Sequence, residues 1–416
     1  MSEGVGSVGM DTPPRLAVDG LLDDPQTRII VCCGAGGVGK TTTAAALGVR
    51  AAERGRKAVV LTIDPARRLA QSMGIDSLDN TPRRVTGVGA GPADDGELHA
   101  MMLDMKRTFD EIVEAHADGE RAEAILANPF YQSLSAGFAG TQEYMAMEKL
   151  GQLRARDDWD LIIVDTPPSR SALDFLDAPK RLGSFLDGKF IRVLMAPAKV
   201  GGRAGMKFLN VGMSMMTGTL SKLMGASLLK DVQTFVAAMD TMFGGFRTRA
   251  DATFRLLQAP GTAFLVVAAP EPDALREAAY FVERLAAEKM PLAGLVLNRV
   301  HGSGADQLSA ERALAAAENL EEGGIVDQEP GKAGLRDSAD DGSPAPDVDE
   351  ITAGLLRLHA ERMQVIAREQ RTRDRFTSLH PEVAVAEVAA LPGDVHDLAG
   401  LRTIGERLAA GVPAGA

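Results

Sequence analysis

The stretch that decides the fold is RIIVCCGAGGVGKT at residues 28–41, a short apolar run that leads into a glycine-rich loop. Residues 28–33 are rich in β-branched side chains, as in a strand that is buried inside a parallel sheet. Residues 40–54 carry alanine and leucine at helical spacing and end at Gly55, which favours a helix with a glycine C-cap. The loop between them, at residues 34–41, fits the pattern G-x-x-x-x-G-K-[ST] in the strand–loop–helix context that this pattern requires.

This loop predicts a site for a nucleoside triphosphate. Its glycines allow successive backbone N–H groups to converge on phosphate oxygens without Cβ clashes, at the positive end of the following helix. Lys40 supplies a mobile positive charge for the β- and γ-phosphate oxygens, and the Thr41 hydroxyl is a ligand for Mg²⁺. The predicted nucleotide-binding residues of the loop are Gly36, Gly37, Val38, Gly39, Lys40, Thr41 and Thr42.

Two carboxylates follow predicted strands at the sheet edge where the loop lies. Asp165 comes directly after the strand at residues 161–164, where it can hold Mg²⁺ directly or through water; the alternative is a helix N-cap before Pro167. Asp64 follows the strand at residues 57–63, where a carboxylate can orient or deprotonate the water that attacks the γ-phosphate. An ordinary Asp-Pro turn explains Asp64 equally well, so the spacing alone leaves its role open.

The alternation of strands and helices continues along the chain. It is typical of an α/β fold, a doubly wound, mostly parallel sheet of the P-loop NTPase type with an inserted helical subdomain. Further strands are predicted at residues 263–268, 294–297 and 383–391, and helices at residues 273–289 and 350–375. The predicted parts are a disordered leader at 1–26, a P-loop ATPase domain at 27–410 with mainly helical subdomain segments at 105–158 and 180–260, an acidic mobile insertion at 320–350, and a tail at 411–416.

The composition of the 416 residues argues against several functional classes. Apolar residues make up 45% and charged residues 25%, as in globular proteins. The net charge of −12 and the 4% aromatic share argue against a nucleic-acid surface, and much of the charge lies in residues 321–350, as in a solvated insertion. Residues 1–14 have no signal-peptide pattern and the apolar run at 208–221 is too short to span a membrane, so we expect a cytoplasmic protein.

Methionine is concentrated in residues 195–242, which hold eight of the chain's 18 methionines. Because methionine is unbranched and polarisable, a helical surface rich in it adapts to varied apolar partners. A loosely packed helical core or a dimer contact gives the same composition. A groove for an apolar helix and a helical core therefore stay open as alternatives for this segment.

The chain resembles the arsenical-pump (ArsA-type) ATPase family in three segments, GAGGVGKTT at 34–42, TIDPARRL at 62–69 and VDTPPS at 164–169. VLNRV at 296–300 and LPGDV at 391–395 resemble it more weakly. This family is a deviant-Walker branch of the P-loop ATPases and includes the guided-entry factor that targets tail-anchored membrane proteins. The resemblance implies a cytosolic dimer that sandwiches two ATP molecules with Mg²⁺.

The resemblance also implies roles for particular residues. Asp64 would lie in switch I and orient the attacking water, and Asp165 would lie in switch II and couple the γ-phosphate to the helical subdomain. Asn298, together with Pro392 and Asp394, would contact the adenine. The methionine-rich segment would form a hydrophobic groove for a client helix, with membranes contacted only indirectly.

The chain departs from the family pattern at Ala35, where the family has a lysine that reaches the phosphates of the partner subunit. A cation at that point stabilises the charge that develops on the transferred phosphoryl group. A homodimer would then hydrolyse ATP slowly, unless a paralogous partner supplies the lysine in a heterodimer. Arg67, Arg68 or Arg170 are the alternative sources of charge within this chain.

These features predict an ATP-hydrolysing dimer that couples its nucleotide state to a hydrophobic helical subdomain and handles an apolar helix or a membrane-associated partner. Lys40 and Asp64 are the predicted catalytic residues, with Thr41 and Asp165 holding Mg²⁺. The adjacent cysteines at 32–33 point to opposite faces of one strand, so arsenite capture is not expected. Three alternatives stay open: a nucleotide-binding regulatory subunit of a heterodimer with weak hydrolysis, a partitioning or positioning ATPase of the same branch, and a P-loop small-molecule kinase or ligase.

Overall fold

The computed structural model of the chain describes residues 13–64, 68–89, 96–129, 141–167, 248–326 and 348–410, together with residues 131, 132, 135 and 245. Several predictions concern residues outside this set. The predictions that lie outside the described residues concern the following parts of the chain: the methionine-rich segment 195–242, most of the helical segment 180–260, Arg67 and Arg170, residues 327–347 of the acidic insertion, and the tail at 411–416.

The described strands are β1 (Ile29–Cys33), β2 (Lys57–Thr62), β3 (Arg83–Arg84), β4 (Glu97–Met102), β5 (Leu161–Asp165), β6 (Thr262–Ala268), β7 (Leu292–Val300) and β8 (Val385–Ala389). They form one sheet in the order β3-β4-β2-β5-β1-β6-β7-β8. Every neighbouring pair is parallel except β3 and β4. The central strands β1, β5 and β6 are buried along their whole length, as in a parallel sheet that is covered on both faces. The predicted doubly wound, mostly parallel α/β fold is confirmed.

Helices within the described residues include α1 (Val18–Asp23), α2 (Lys40–Glu53), α3 (Arg68–Ser72), α4 (Met105–His116), α5 (Gly119–Leu126), α6 (Thr141–Arg156), α7 (Pro272–Ala287), α8 (Ala310–Val326), α9 (Val348–Leu379) and α10 (Leu398–Ala410). On one face of the sheet, α2 and α10 share an apolar cluster with Ile30 and Cys32 of β1. On the other face, α4, α6 and α7 share a cluster with Val31 and Cys33. Successive β1 side chains alternate between the two clusters because a strand has a period of two residues.

The prediction of a disordered leader up to residue 26 is wrong from residue 13 onward. Leu16 donates its backbone N–H to Val385 of the edge strand β8 at 3.0 Å. Leu16 and Leu22 are buried in the cluster of α2 and α10, and the Arg50 guanidinium on α2 donates twice to the Asp19 carboxylate, at 2.6 and 2.7 Å. These contacts are all with distant parts of the chain, so the local sequence gave no periodic signal for them.

Two strands at one edge of the sheet, β3 and β4, were not predicted from the sequence. β4 pairs with β2 in parallel along its whole length, yet its sequence ELHAMM contains a glutamate and a histidine and has no strong β-branched run. β4 leads into α4, and α4, α5 and α6 occupy the stretch that was predicted to be mainly helical. Within the described residues, none of the helices combines the length and apolarity that a membrane crossing demands.

Candidate nucleotide-binding site

The loop between β1 and α2 has a backbone that favours glycine at three of its positions, Gly34, Gly37 and Gly39, and at two of them a neighbouring residue also leaves no room for a Cβ. Gly34 has a φ of 146°, and a Cβ there would lie 2.0 Å from the carbonyl oxygen of Val267 on β6. Gly39 has a φ of 97°, and a Cβ there would lie 2.2 Å from Nδ2 of Asn298. The first and last glycines of the motif are therefore required by the neighbouring strands as well as by the loop conformation.

Lys40 opens α2 with its side chain almost fully buried against the loop. Its Nζ donates to the carbonyl oxygens of Gly34 at 3.0 Å and Ala35 at 2.7 Å. Burial lowers the pKa of Lys40, while the charges of Asp165 and Asp64 oppose that shift. An ammonium has three donors, so the two carbonyls leave one N–H for a phosphate oxygen.

Asp165 ends β5 between β1 and β2, where it is fully buried. Its Oδ2 accepts hydrogen bonds from the hydroxyls of Thr41 at 2.7 Å and Thr62 at 2.8 Å. Its Oδ1 is buried and has no hydrogen-bond partner among the described residues. Burial raises the pKa of Asp165 to about 6, although both hydroxyls and Lys40 act in the opposite direction.

The Thr41 and Asp165 oxygens fit a magnesium site. Mg²⁺ prefers carboxylate, hydroxyl and water oxygens and is usually bound through one or two protein groups together with substrate phosphates. The Oδ1 of Asp165 is a buried acceptor without a hydrogen-bond partner among the described residues. Among the described residues no cluster of three or more histidine, cysteine or carboxylate side chains forms an all-protein metal site.

Asp64 lies two residues after the end of β2, close enough to Asp165 for the two charges to interact. Its backbone N–H donates to the Thr62 hydroxyl at 3.2 Å, and the N–H of the preceding Ile63 donates to the carbonyl oxygen of Asp165 at 3.0 Å. Burial is the main cause of the raised pKa of Asp165, and the charge of Asp64 adds to it. The same charge opposes the lowering of the Lys40 pKa by burial. The structure therefore brings together the Asp64, Asp165 and Lys40 side chains that the sequence singled out.

The three residues expected at the adenine lie in different places. Asn298 on β7 is buried, and its Nδ2 donates to the carbonyl oxygen of Val38 in the glycine-rich loop at 2.8 Å. Pro392 and Asp394 are exposed in the loop after β8, which is three strands away from β1. Asn298 therefore contacts the glycine-rich loop directly. Pro392 and Asp394 lie further along the same edge of the sheet.

The two cysteines lie beneath the loop and are both buried. Burial raises the pKa of Cys32 well above its usual range and that of Cys33 to about 12. Their side chains belong to the clusters on opposite faces of the sheet. Neither cysteine offers a thiolate to a soft metal or to arsenite at this position.

Two threonines at this site were not singled out from the sequence. Thr62 donates its hydroxyl to the Asp165 carboxylate and its oxygen accepts from the backbone N–H of Asp64, so it links that carboxylate to the Asp64 main chain. Thr166 donates its hydroxyl to the carbonyl oxygen of Cys32 at 2.8 Å, which ties the end of β5 to β1. Thr62 opens the segment TIDPARRL, and its position two residues before Asp64 is the one signal that points to it.

The raised pKa of Asp165 predicts a pH-dependent stability for the metal-free protein. The pKa of this group is 3.8 when unperturbed and about 6 in the fold, so the folded state binds more protons between these values. The free energy of unfolding therefore falls as the pH rises through this window, by about 3 kcal/mol in total and about 1 kcal/mol between pH 5 and pH 8. Urea unfolding in EDTA of the wild type and of Asp165→Asn measures this difference, and an equal gap between the two proteins at both pH values would contradict it.

Comparisons with known proteins identify similar chains. The sequence model of a family described as "Anion-transporting ATPase" matches residues 27–321. A protein named ATPase GET3 from Podospora anserina is 26% identical over 301 residues, which cover 71% of this chain and 80% of that protein. Another ATPase GET3, from Malassezia globosa, is 29% identical over 170 residues, or 41% of this chain and 47% of the relative. A putative arsenical pump-driving ATPase from Halobacterium salinarum is 30% identical over 191 residues, which cover 44% of this chain and 28% of that protein.

Proposed function

Since the chain is an ATPase of the ArsA-type, anion-transporting ATPase family, we propose that it hydrolyses ATP with Mg²⁺ at the loop formed by residues 34–41. The observation that carries this proposal is the Asp165 carboxylate, which accepts from Thr41 at the start of α2 and has a second, unpartnered buried oxygen. Such a carboxylate is costly to bury. A divalent cation beside it offsets this cost.

The reaction assigned to these residues is the attack of water on the γ-phosphorus, with ADP leaving. The amides of the loop and Lys40 would hold the β- and γ-phosphates, and Thr41 and Asp165 would hold Mg²⁺, which neutralises charge on the phosphate oxygens. Asp64 would orient the water and accept its proton. The short distances that link Thr41, Asp165 and Thr62 support this assignment, because they join the start of α2 to β5, which ends in Asp165, and to β2, which Asp64 follows.

We propose further that the chain acts as a cytoplasmic dimer in which the nucleotide state changes the position of a hydrophobic helical subdomain. The subdomain would comprise residues 105–158 and 180–260, within an ATPase domain that extends from residue 13 to residue 410. The resemblance of residues 34–42, 62–69 and 164–169 to the guided-entry ATPases supports an apolar helix as the client. Ile63, the residue before Asp64, belongs to the same apolar cluster as side chains of α4 and α6. This contact supports a mechanical coupling between the nucleotide site and these helices.

A second candidate function is a nucleotide-binding subunit that hydrolyses ATP weakly and pairs with a paralogue. Ala35 favours it, because this side chain is small, almost fully buried and uncharged, whereas the family resemblance of residues 34–42 implies a lysine at this position. A cation that stabilises the charge developing on the transferred phosphoryl group raises the rate of hydrolysis by about 10³–10⁵-fold. The pure chain would then bind ATP but turn it over slowly.

The Ala35→Lys variant is expected to raise kcat of the purified chain by about tenfold or more, because it adds a cation at the loop. Ala35→Met is the matched control, since it adds similar length without charge. Phosphate release is measured for both variants at saturating MgATP, at a concentration where the chain is dimeric by light scattering. Equal rates for the lysine and methionine variants would show that this chain does not use a cation from position 35.

The proposed function is tested by phosphate release from the purified chain in MgATP, without any other small molecule. We expect steady turnover that EDTA abolishes. Turnover that requires an added metabolite would identify a small-molecule kinase or ligase. ATP-dependent pelleting with liposomes or DNA would identify a partitioning or positioning ATPase. Saturable ATP binding without turnover, even in the Ala35→Lys variant, would identify the chain as a nucleotide-binding regulatory subunit.

A further inference from the structure

Gln142 is a side chain of α6 that reaches the main chain beside Asp64. We call α6 and the α4 helix that packs with it the helical layer. Gln142 lies in the first turn of α6, partly buried, and its Nε2 donates to the carbonyl oxygen of Ile63 at 3.0 Å. Ile63 is the residue between the end of β2 and Asp64. The contact joins two segments that are far apart in the chain and that belong to different layers of the fold.

This hydrogen bond provides a partner for the carbonyl oxygen of Ile63, which lies just beyond the end of β2. The carbonyl oxygen of Thr62 still accepts from the N–H of Leu103, and the N–H of Ile63 still donates to Asp165. The carbonyl oxygen of Ile63 comes after the last residue of β2 and is bonded by Gln142. A carbonyl of a buried residue such as Ile63 needs a partner of this kind, because a buried acceptor without a hydrogen bond destabilises the fold.

The hydrogen bond also fixes the peptide unit that carries Asp64. The carbonyl of Ile63 and the N–H of Asp64 belong to one planar peptide group. Gln142 holds its oxygen end, and the Thr62 hydroxyl holds its nitrogen end at 3.2 Å. With both ends held, the direction in which the Asp64 Cα leaves the strand is set by Gln142 and Thr62 together.

The helix that carries Gln142 is tied to the other helices rather than to the nucleotide loop. Lys149 of α6 donates to Glu111 of α4 at 3.1 Å, and Glu148 accepts from Arg249 at 2.8 Å. Apolar side chains of α6, including Met145 and Leu150, are buried in the cluster that α4 shares. A displacement of this layer therefore moves the amide of Gln142 relative to β2.

We propose that Gln142 is a positioning residue for hydrolysis, which holds the Ile63–Asp64 peptide and so places the Asp64 carboxylate for the attacking water. The proposal rests on the function proposed above for Asp64. It implies that movement of α6 changes the rate of hydrolysis with little change in nucleotide affinity, because the phosphate-binding loop has no bond to Gln142 in the described structure. The helical layer then acts on switch I through this hydrogen bond.

The test compares three substitutions at this position. Gln142→Leu keeps the approximate shape and removes the donor, and we expect kcat to fall about tenfold with KM for ATP within twofold of wild type. Gln142→Glu replaces the donor by a charged acceptor that faces a carbonyl oxygen, so its kcat should fall further. Gln142→His carries a ring N–H near the position of the original amide and should recover kcat to within about threefold of wild type.

The matched control is Gln258→Leu, because Gln258 also donates its Nε2 to a main-chain carbonyl, that of Glu288, at 2.8 Å. This bond lies between a helix and the end of α7, away from the glycine-rich loop. We expect wild-type kcat for this variant. A loss of kcat in the control as large as that in Gln142→Leu would show a general effect on stability and would overturn the proposal.

Hydrogen exchange provides a readout that does not depend on turnover. In the nucleotide-free protein, Gln142→Leu should speed exchange of the Asp64 amide, whereas Gln258→Leu should not. If Asp64→Asn abolishes turnover but Gln142→Leu keeps wild-type kcat and exchange, the inference is wrong and the proposed function stands. If the wild type has no turnover, the proposed function fails, and unchanged exchange in Gln142→Leu would then overturn the positioning role independently.

Discussion

The Asp64→Asn variant is expected to hydrolyse ATP about 10²–10³ times more slowly than the wild type while it still binds ATP. Asparagine has nearly the same shape as aspartate, so the bond from the Asp64 backbone to Thr62 can persist. The amide cannot accept a proton from water, and it removes a negative charge that lies near Asp165 and Lys40. Loss of that charge favours the binding of an anionic nucleotide, so KM should stay level or fall.

Single-turnover phosphate release separates this effect from binding, because it follows only ATP that is already bound. Asp76→Asn is a suitable control, since Asp76 is exposed and follows the same region of the chain. The control should match the wild type in rate. A rate for Asp64→Asn within tenfold of the wild type would contradict the assignment of Asp64 to the attacking water.

The second large effect is expected for Lys40→Met, which should weaken ATP binding at least about a hundredfold and leave no measurable hydrolysis. The Lys40 ammonium is the cation at the loop, and charge-assisted hydrogen bonds to phosphate contribute about 1.5–3 kcal/mol each. Methionine keeps an unbranched chain in the buried site. Methionine also removes the donor to the carbonyl oxygens of Gly34 and Ala35, so folding and affinity are measured on the same protein.

Equilibrium binding of a non-hydrolysable ATP analogue measures this loss, with thermal unfolding of the same samples as the folding check. Lys106→Met is the control, because Lys106 is exposed and pairs with Asp110 on the surface of α4. It should bind the analogue as the wild type does. Unchanged affinity in a folded Lys40→Met protein would remove the glycine-rich loop from the account of nucleotide binding.

The parts of the fold that depend on local chemistry could be predicted from the sequence. β1, the loop and α2 were predicted within one residue at each end, because glycine placement and apolar spacing specify such a unit locally. Asp64 and Asp165 were predicted at one edge of the sheet, since parallel strands bring their carboxyl ends together. The structure places both there.

Other features depend on contacts that no local pattern contains. Residues 13–26 are held by hydrogen bonds to β8, which is hundreds of positions away in the chain, and to α2. β4 is a strand because it pairs with β2, although its sequence contains polar residues. The hydrogen bond from Gln142 to Ile63 crosses from one layer to another. The raised pKa of Asp165 results from complete burial, which only the assembled sheet produces.

The most direct measurement is a calorimetric titration of the Asp64→Asn protein with ATP, with and without Mg²⁺. This variant is expected to bind without hydrolysis, so the heat reports binding alone. We predict one ATP bound per chain, tighter with Mg²⁺ than in EDTA, and binding at least about a hundredfold weaker once Lys40→Met is added. A folded protein that gives no heat above dilution, or the same heat after Lys40→Met, would contradict the claim that this loop and Asp165 hold a magnesium nucleotide.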